Sequence, residues 1–373
     1  MLEKGIKPLT RNFAVYTFIF LLFWTTLAWP QSNISRGPIV SNATQTSITI
    51  SWWTQKKSST SVEYDKTSSY QHVRQDSIQT REHSVSLDEL QPSTQYHYRV
   101  IGRDTSDDYS FSTSVRPGEP FVSAVYGDTR MNHDIHTAVL QLIQQHHPLF
   151  AINTGDLVSS GTESDWSMYF TILCGRTSVG QTLPIFSTVG NHEKYSSGYE
   201  QYLHLPHNNP QNSQLYYSFD CGSAHFIALN STINYEPGSP QYNWFVKDIA
   251  QAATAKFRFV FLHHPVYSSF PHGSTEKVQQ YLLPLFEQHH VQMVFSGHDH
   301  AYERTKPMNG VTYVVTGGGG APLYDSKSDN SWTAYKEKAY HFCKLLMDSA
   351  QCTLYMIRLD GAIRDSITFS ASH

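Results

Sequence analysis

In the last third of the chain, Ser296-Gly-His-Asp-His-Ala-Tyr-Glu-Arg304 sets His298 and His300 two positions apart behind a glycine. Two imidazoles on such a loop can turn toward one point, and nitrogen donors of this kind suit a transition metal. In a chain with 20 histidines one pair means little. Four further stretches give it weight: Gly127-Asp128-Thr129-Arg130, Gly155-Asp156-Leu157-Val158, Gly190-Asn191-His192-Glu193 and Val260-Phe261-Leu262-His263. Each follows or ends an apolar run. Four of the five loops begin with Gly, which permits a tight turn and close approach of backbone to a ligand. Singly, Asp128, Asp156 and Asn191 read as turn formers and His263 as a core histidine. Jointly, turn chemistry does not explain polar ligand types at five strand ends, where α/β sheets gather their ligands.

The elements that must position these loops are legible as a pattern. Strands are expected at Phe121–Tyr126, Leu149–Asn153, Ile185–Val189, His225–Leu229, Phe257–Leu262, Val291–Phe295 and Val311–Thr316. Helices are expected at Asp134–His146, Gln241–Ala253 and Thr275–His289, the last interrupted by Pro284. Strands alternating with helices indicate an α/β layer fold. Ala339–Phe369 returns to strand-like alternation and is expected to complete a sheet of this domain. Ahead of it, Gly37–Thr113 shows short strands and polar turns with no helical period. Leu90–Val100 resembles the tyrosine corner of a fibronectin type III sandwich, with Tyr96 bonding back to the backbone and Trp52 or Trp53 filling the core. The expected organisation is a leader over 1–30, a fibronectin III-like β-sandwich over 36–114, a Pro/Gly linker over 115–120 and a catalytic domain over 121–373.

The ordered set of five loops resembles the metallophosphoesterase superfamily, the calcineurin-like phosphoesterases. With the sandwich in front it is similar to the purple acid phosphatases. The resemblance implies an α/β domain with a β-sandwich core flanked by helices. It also implies two transition-metal ions, Fe, Mn or Zn, about 3.5–4 Å apart. Carried over by position, Asp128, Asp156 and His300 would hold the first ion, and Asp156, Asn191, His263 and His298 the second, with Asp156 bridging. His192 would face the phosphate, and His272 would be the general acid. In plant-type relatives a second histidine follows that acid, whereas here Gly273 does. Two other departures stand out. Ser159 occupies the place of the tyrosine ligand of the purple enzymes, so a colourless enzyme with divalent ions is expected. Arg130 stands where other members have histidine. Its guanidinium would either bind phosphate oxygens or form an ordering salt bridge, for instance to Asp134. His133 and His136 are the nearest histidines that could supply the missing ligand.

Other residues read more plainly. Tyr302 and Arg304 would buttress the histidine loop. Gly317–Gly320 would be a flexible loop near the site, with phosphate contact as its alternative. His146, His147, His264, His289 and His290 would be surface or supporting residues. Cys343 and Cys352 flank a turn and could pair across a hairpin, and Asn33, Asn42 and Asn230 begin glycosylation sequons. The formal charge of −4 supplies no basic field for nucleic acid. Residues 1–30 read as a cleaved signal peptide, or as an N-terminal membrane anchor if uncleaved. The resulting expectation is an exported enzyme hydrolysing phosphomonoesters by attack of metal-bound hydroxide. Its alternatives are a phosphodiesterase acting on nucleotides or lipid head groups, and a non-enzymatic binding protein on the same fold.

Overall fold

The structure, a computed structural model, describes residues 1–2, 33–193 and 196–371. Apart from its first two residues, the segment read as a leader lies outside them. Among the described residues no helix is long and apolar enough to cross a membrane. Asn33–His373 form one compact unit.

The N-terminal part is one five-stranded antiparallel sheet built on a long strand. Its strands are β1 (Ile34–Ser41), β2 (Ile48–Asp65), β3 (His72–Leu87), β4 (Gln95–Ile101) and β5 (Tyr109–Ser112). The first half of β2 pairs with β1 and its second half with β4, while β3 pairs along its other edge. Alternation in β2 sends Ile48, Ile50 and Trp52 into the core. Trp52 stacks on His83 at 4.8 Å, and hydroxyls of Thr54 and Thr60 satisfy both nitrogens of that ring. The Tyr96 hydroxyl accepts the Gln91 N–H at 3.0 Å, which closes the corner. Trp53 points the other way. It packs on Phe170 and Tyr202 of the following domain, and Tyr98 donates to the Gln181 carbonyl at 2.9 Å.

Among the described residues the second domain has thirteen strands: β6 (Phe121–Tyr126), β7 (Phe150–Asn153), β8 (Ile185–Ser187), β9 (Tyr217–Cys221), β10 (Ala224–Ala228), β11 (Phe257–Phe261), β12 (Met293–Ser296), β13 (Tyr302–Thr305), β14 (Thr312–Thr316), β15 (Thr333–Glu337), β16 (His341–Met347), β17 (Gln351–Arg358) and β18 (Ile363–Ser370). They form two sheets, ordered β18-β17-β16-β6-β7-β8 and β15-β13-β14-β12-β11-β10-β9. Each has a parallel part, β6–β7–β8 at one end of the first and β10–β11–β12–β14 in the middle of the second. The sheets face each other across Phe150, Phe186, Phe219 and Phe226, whose rings meet at 3.7–5.7 Å. Helix Pro240–Gln251 covers the outer face of the second sheet with Trp244, Phe245 and Ile249, and helix His133–Gln145 buries Val139, Leu140 and Ile143. The C-terminal strands complete the first sheet.

Three local differences have physical causes. The helix expected over Thr275–His289 is two, Glu276–Tyr281 and Leu283–Gln288. Pro284 lacks an N–H and is tolerated only in the first turn, so it starts the second helix. Cys343 and Cys352 do not pair, because Cys343 faces Met356 and Cys352 faces Met347. Four residues of offset along a hairpin is roughly 13 Å, beyond any disulfide. Asn33 and Asn230 are buried, and the Asn230 side-chain oxygen Oδ1 accepts from both the backbone N–H and the hydroxyl of Thr232. Of the three sequons, Asn42 is the one with its asparagine only half-buried. Helix Glu163–Phe170 was not expected, although Thr162 and Asp165 form a capping box at its start.

Candidate metal centre

The parallel strands β6, β7, β11 and β12 all end on one rim, and the loops after them carry the polar residues. Asp128, Asp156 and His298 take left-handed backbone angles, φ +57°, +57° and +69°. Such angles are uncommon for residues with a Cβ and turn each side chain sharply back over its strand end. The preceding glycines make room. A Cβ on Gly190 would sit 2.2 Å from Asp156 Oδ1, and one on Gly297 would sit 2.3 Å from Asp128 Oδ2.

Two donor groups result, and they share Asp156. In the first, carboxylate oxygens of Asp128 and Asp156 and a nitrogen of His300 lie within 4.8 Å of one another, all buried. In the second, His263 Nε2 lies 2.9 Å from Asn191 Oδ1, 3.2 Å from His298 Nδ1 and 3.4 Å from Asp156 Oδ1. His263 Nδ1 faces the Thr154 carbonyl at 2.9 Å and His300 Nδ1 faces the Pro322 carbonyl at 2.8 Å. A carbonyl can only accept, so each ring keeps its proton there and turns a lone pair inward.

Electrostatics favours a cation at this place. Burial and the charge of Asp156 push Asp128 well above the usual carboxylate range. Burial also acts to raise Asp156, but His263, His192 and Arg130 leave it below its ordinary value. Burial lowers His263, lowers His298 strongly, and brings His300 down to about 4. Neutral imidazoles and crowded carboxylates with inward lone pairs are a donor set for transition metals, so the residues fit two such ions.

The surrounding residues divide into those that meet this centre and those that do not. His192 donates its N–H to Asp156 Oδ1 at 3.1 Å and bonds through Nδ1 to the Ser159 carbonyl, which leaves Nε2 3.7 Å from Asp156 Oδ2. The His272 ring lies 4.1 Å from that of His298. Arg130 does not pair with Asp134, which bonds Arg176 instead. Its Nε donates to Asp156 Oδ2 at 3.3 Å, and its terminal nitrogen lies 3.4 Å from His300 Nε2. His136 packs in its helix between Tyr126 and Tyr169, and burial lowers it to about 3. Ser159 borders a cavity of about 20 Å³ shared with Arg130, His133, His136 and Tyr169. Tyr302 and Arg304 both bond Asp365, tying β13 to β18 across the two sheets.

The glycine run is packed against the loops of the site. Gly317–Gly320 are all buried, and a Cβ on Gly319 would stand 2.3 Å from the Gly127 carbonyl. The N–H groups of Gly317, Gly319 and Ala321 go to backbone carbonyls, including that of Asp128, so they form no phosphate cradle. Sequence reasoning also passed over Glu193. Fully buried, it accepts the N–H groups of Asp156, Val158 and Gly190 and so locks two ligand loops together. Burial and Asp156 raise it to about 8. Tyr324, stacked on His300 at 4.2 Å, was likewise missed.

Comparison with known proteins agrees with this arrangement. Residues 123–302 match the calcineurin-like phosphoesterase family, and residues 36–113 match the purple acid phosphatase N-terminal domain. Purple acid phosphatase 21 of Arabidopsis thaliana is 31% identical over 64% of this chain and 58% of its own length. Purple acid phosphatase 1 of Ipomoea batatas is 27% identical over 66% and 56%. The chain thus spans less than two thirds of these curated relatives. A purple acid phosphatase from yellow lupin (Lupinus luteus) seeds has a similar fold, with TM-score 0.77, 20% identity, and coverage of 89% of this chain and 74% of that one. The structure of PhoD gives 0.70 at 13% identity over 92% and 91%.

Proposed function

The chain belongs to the calcineurin-like phosphoesterases, with a purple acid phosphatase N-terminal domain in front, and on that premise we propose that it hydrolyses phosphate monoesters using two transition-metal ions. The observation that carries the reading is the convergence of donors from five strand-end loops on one shared carboxylate, Asp156. In this reading Asp128, Asp156 and His300 hold one ion and Asp156, Asn191, His263 and His298 the other, the metals being Fe, Mn or Zn. When bound, such a pair neutralises the phosphate, lowers the pKa of a water and braces the entering and departing oxygens.

The chain's own residues do the rest. His192 is held through Nδ1 by the Ser159 carbonyl, so Nε2 is presented toward a phosphate beside Asp156. Arg130, anchored on Asp156, offers its remaining N–H groups to phosphate oxygens. His272, over His298, delivers a proton to the departing ester oxygen. The apolar segment within residues 1–30 supports export, so we assign the enzyme to the outside of the cytoplasm. Residues 36–114 are assigned to the sandwich and 121–373 to the catalytic domain.

The test is metal analysis of the purified chain with a panel of mono- and diesters. Asp156→Asn is expected to lose both ions and more than about 100-fold in turnover, since even outer-sphere partners cost 10–100-fold. Undiminished wild-type turnover after chelation and verified metal loss would sink the proposal. Faster hydrolysis of diesters would move the protein to the phosphodiesterase reading.

A further inference from the structure

Asp299 stands between the two histidines of the loop after β12, yet its carboxylate takes no part in the metal centre. It is fully buried. One oxygen, Oδ2, accepts the Ser268 hydroxyl at 2.5 Å. The other, Oδ1, accepts the backbone N–H of His272 at 3.0 Å, while the Gly273 N–H goes to the Phe270 carbonyl. The Ser268 hydroxyl in turn accepts the Phe270 N–H at 3.1 Å. Asp299 therefore grips the segment Ser268–His272 at both ends. A second buried carboxylate, four residues on, repeats the grip: Glu303 accepts both the N–H and the hydroxyl of Ser269 at 2.6 Å. The segment carries no strand and no helix of its own; these two acids hold it beside the metal centre together with bonds from the Lys327 and Ser328 N–H groups to the Ser269 carbonyl. His272 is the residue whose backbone is held directly, and its ring is delivered 4.1 Å from His298 and 5.5 Å from Tyr324.

We propose that Asp299 is the positioning residue for His272: through a buried backbone hydrogen bond it sets where the imidazole stands over the metal centre. Charge-assisted bonds to backbone N–H groups are strong and directional, which suits this role. The inference about catalysis rests on the assignment of His272 as proton donor, but the placement itself does not.

The experiment uses the full chain loaded with diamagnetic zinc. The His272 ring signal, identified by its loss in His272→Gln, is followed by carbon–proton NMR in wild type, Asp299→Ala and Asp299→Asn. In Asp299→Ala the signal should leave its ring-shifted position and move toward that of a free histidine. Asp299→Asn keeps one acceptor and should move less. Ser268→Ala, which removes the hydroxyl on the other oxygen, guards against a misfolded Asp299→Ala and should shift the signal in the same direction. An unmoved His272 signal in these variants overturns the proposal. Kinetics then separate the two claims. With His272 as proton donor, Asp299→Ala should lose at least about 10-fold more on alkyl than on nitrophenyl esters, and His272→Ala should show the same split. A moved signal without that split supports the placement by Asp299 and overturns the proton-donor assignment instead. Zinc content must stay at the wild-type value, so that a lost ion cannot mimic a displaced ring.

Discussion

Residue by residue, the loops that could be read directly were those in which backbone demand and donor chemistry coincide. Gly127, Gly155, Gly190 and Gly297 each precede a residue that faces the centre, and a side chain on Gly190 or Gly297 would strike a carboxylate oxygen there. Glu193, Asp299 and Asp365 were not legible, because an acid that accepts backbone or side-chain bonds inside a fold looks, in sequence, like any acid in a loop. Ser159 was legible as an absence, and it motivates a prediction. A tyrosinate ligand gives Fe(III) its charge-transfer colour, and a serine hydroxyl is too short and too weak an acid to replace it. The cavity beside Ser159, about 20 Å³, has room for one water and not for a ring. Tyr126 and Tyr169 are buried, and burial pushes both hydroxyls well above their ordinary pKa. Iron-loaded, oxidised protein is therefore expected to show no strong visible tyrosinate band. Such a band in its absorption spectrum would assign the ligand to another tyrosine, with Tyr324 on His300 the first to test.

At the scale of elements, strand runs and their order were legible because buried parallel strands are continuous apolar runs. What period could not show was Cβ clearance. Four glycines in a row read as a flexible loop, whereas here they let Gly317–Gly320 lie flat on the Asp128 loop. Nor did the pattern reveal β9, whose Asp220 meets β10 and the helix Pro240–Gln251 through His225. Burial acts to lower His225, but hydrogen bonds to Asp220 at 2.7 Å and Asp248 at 3.0 Å raise it to about 9. The unfolded value is about 6.5. A raised folded pKa means this stabilisation is complete below about pH 6.5 and is lost as pH climbs through 9. The exposed Asp220 screens part of it, so about 1–3 kcal/mol is at stake. Unfolding free energies from urea titrations near pH 6 and near pH 10 should differ less in His225→Gln than in wild type by that amount. Equal pH dependence in the two proteins would remove His225 from the account.

For the whole molecule, the question is whether the N-terminal sheet, read in the sequence as a sandwich, is an appendage or part of one cooperative body. The sequence pattern separates it cleanly at Pro117–Pro120, but the packing does not. Ile39 and Trp53 belong to the same buried apolar cluster as Phe170, Tyr202 and the facing sheets of the catalytic domain. Arg36 is laid across Trp53, Phe170 and Tyr202, its carbon 5.6, 5.0 and 4.4 Å from their ring centres, and its head group bonds Glu163. The Tyr98 hydroxyl, on the core side of the sandwich, is spent on the Gln181 carbonyl of the other domain. Residues that fill a shared core are not free to unfold separately. The full chain is expected to melt in one transition followed equally by sandwich and catalytic probes. Trp53→Ala removes the ring at the centre of the contact and should cost about 3–5 kcal/mol, the range for deleting a buried aromatic. Because the metal ligands lie outside this contact, the folded variant should keep its two ions, and turnover should fall only as the folded fraction falls. The measurement is calorimetry with parallel circular dichroism and activity on the full chain. Two separate transitions, with only the sandwich shifted by Trp53→Ala, would show that the interface is incidental and the domains merely tethered.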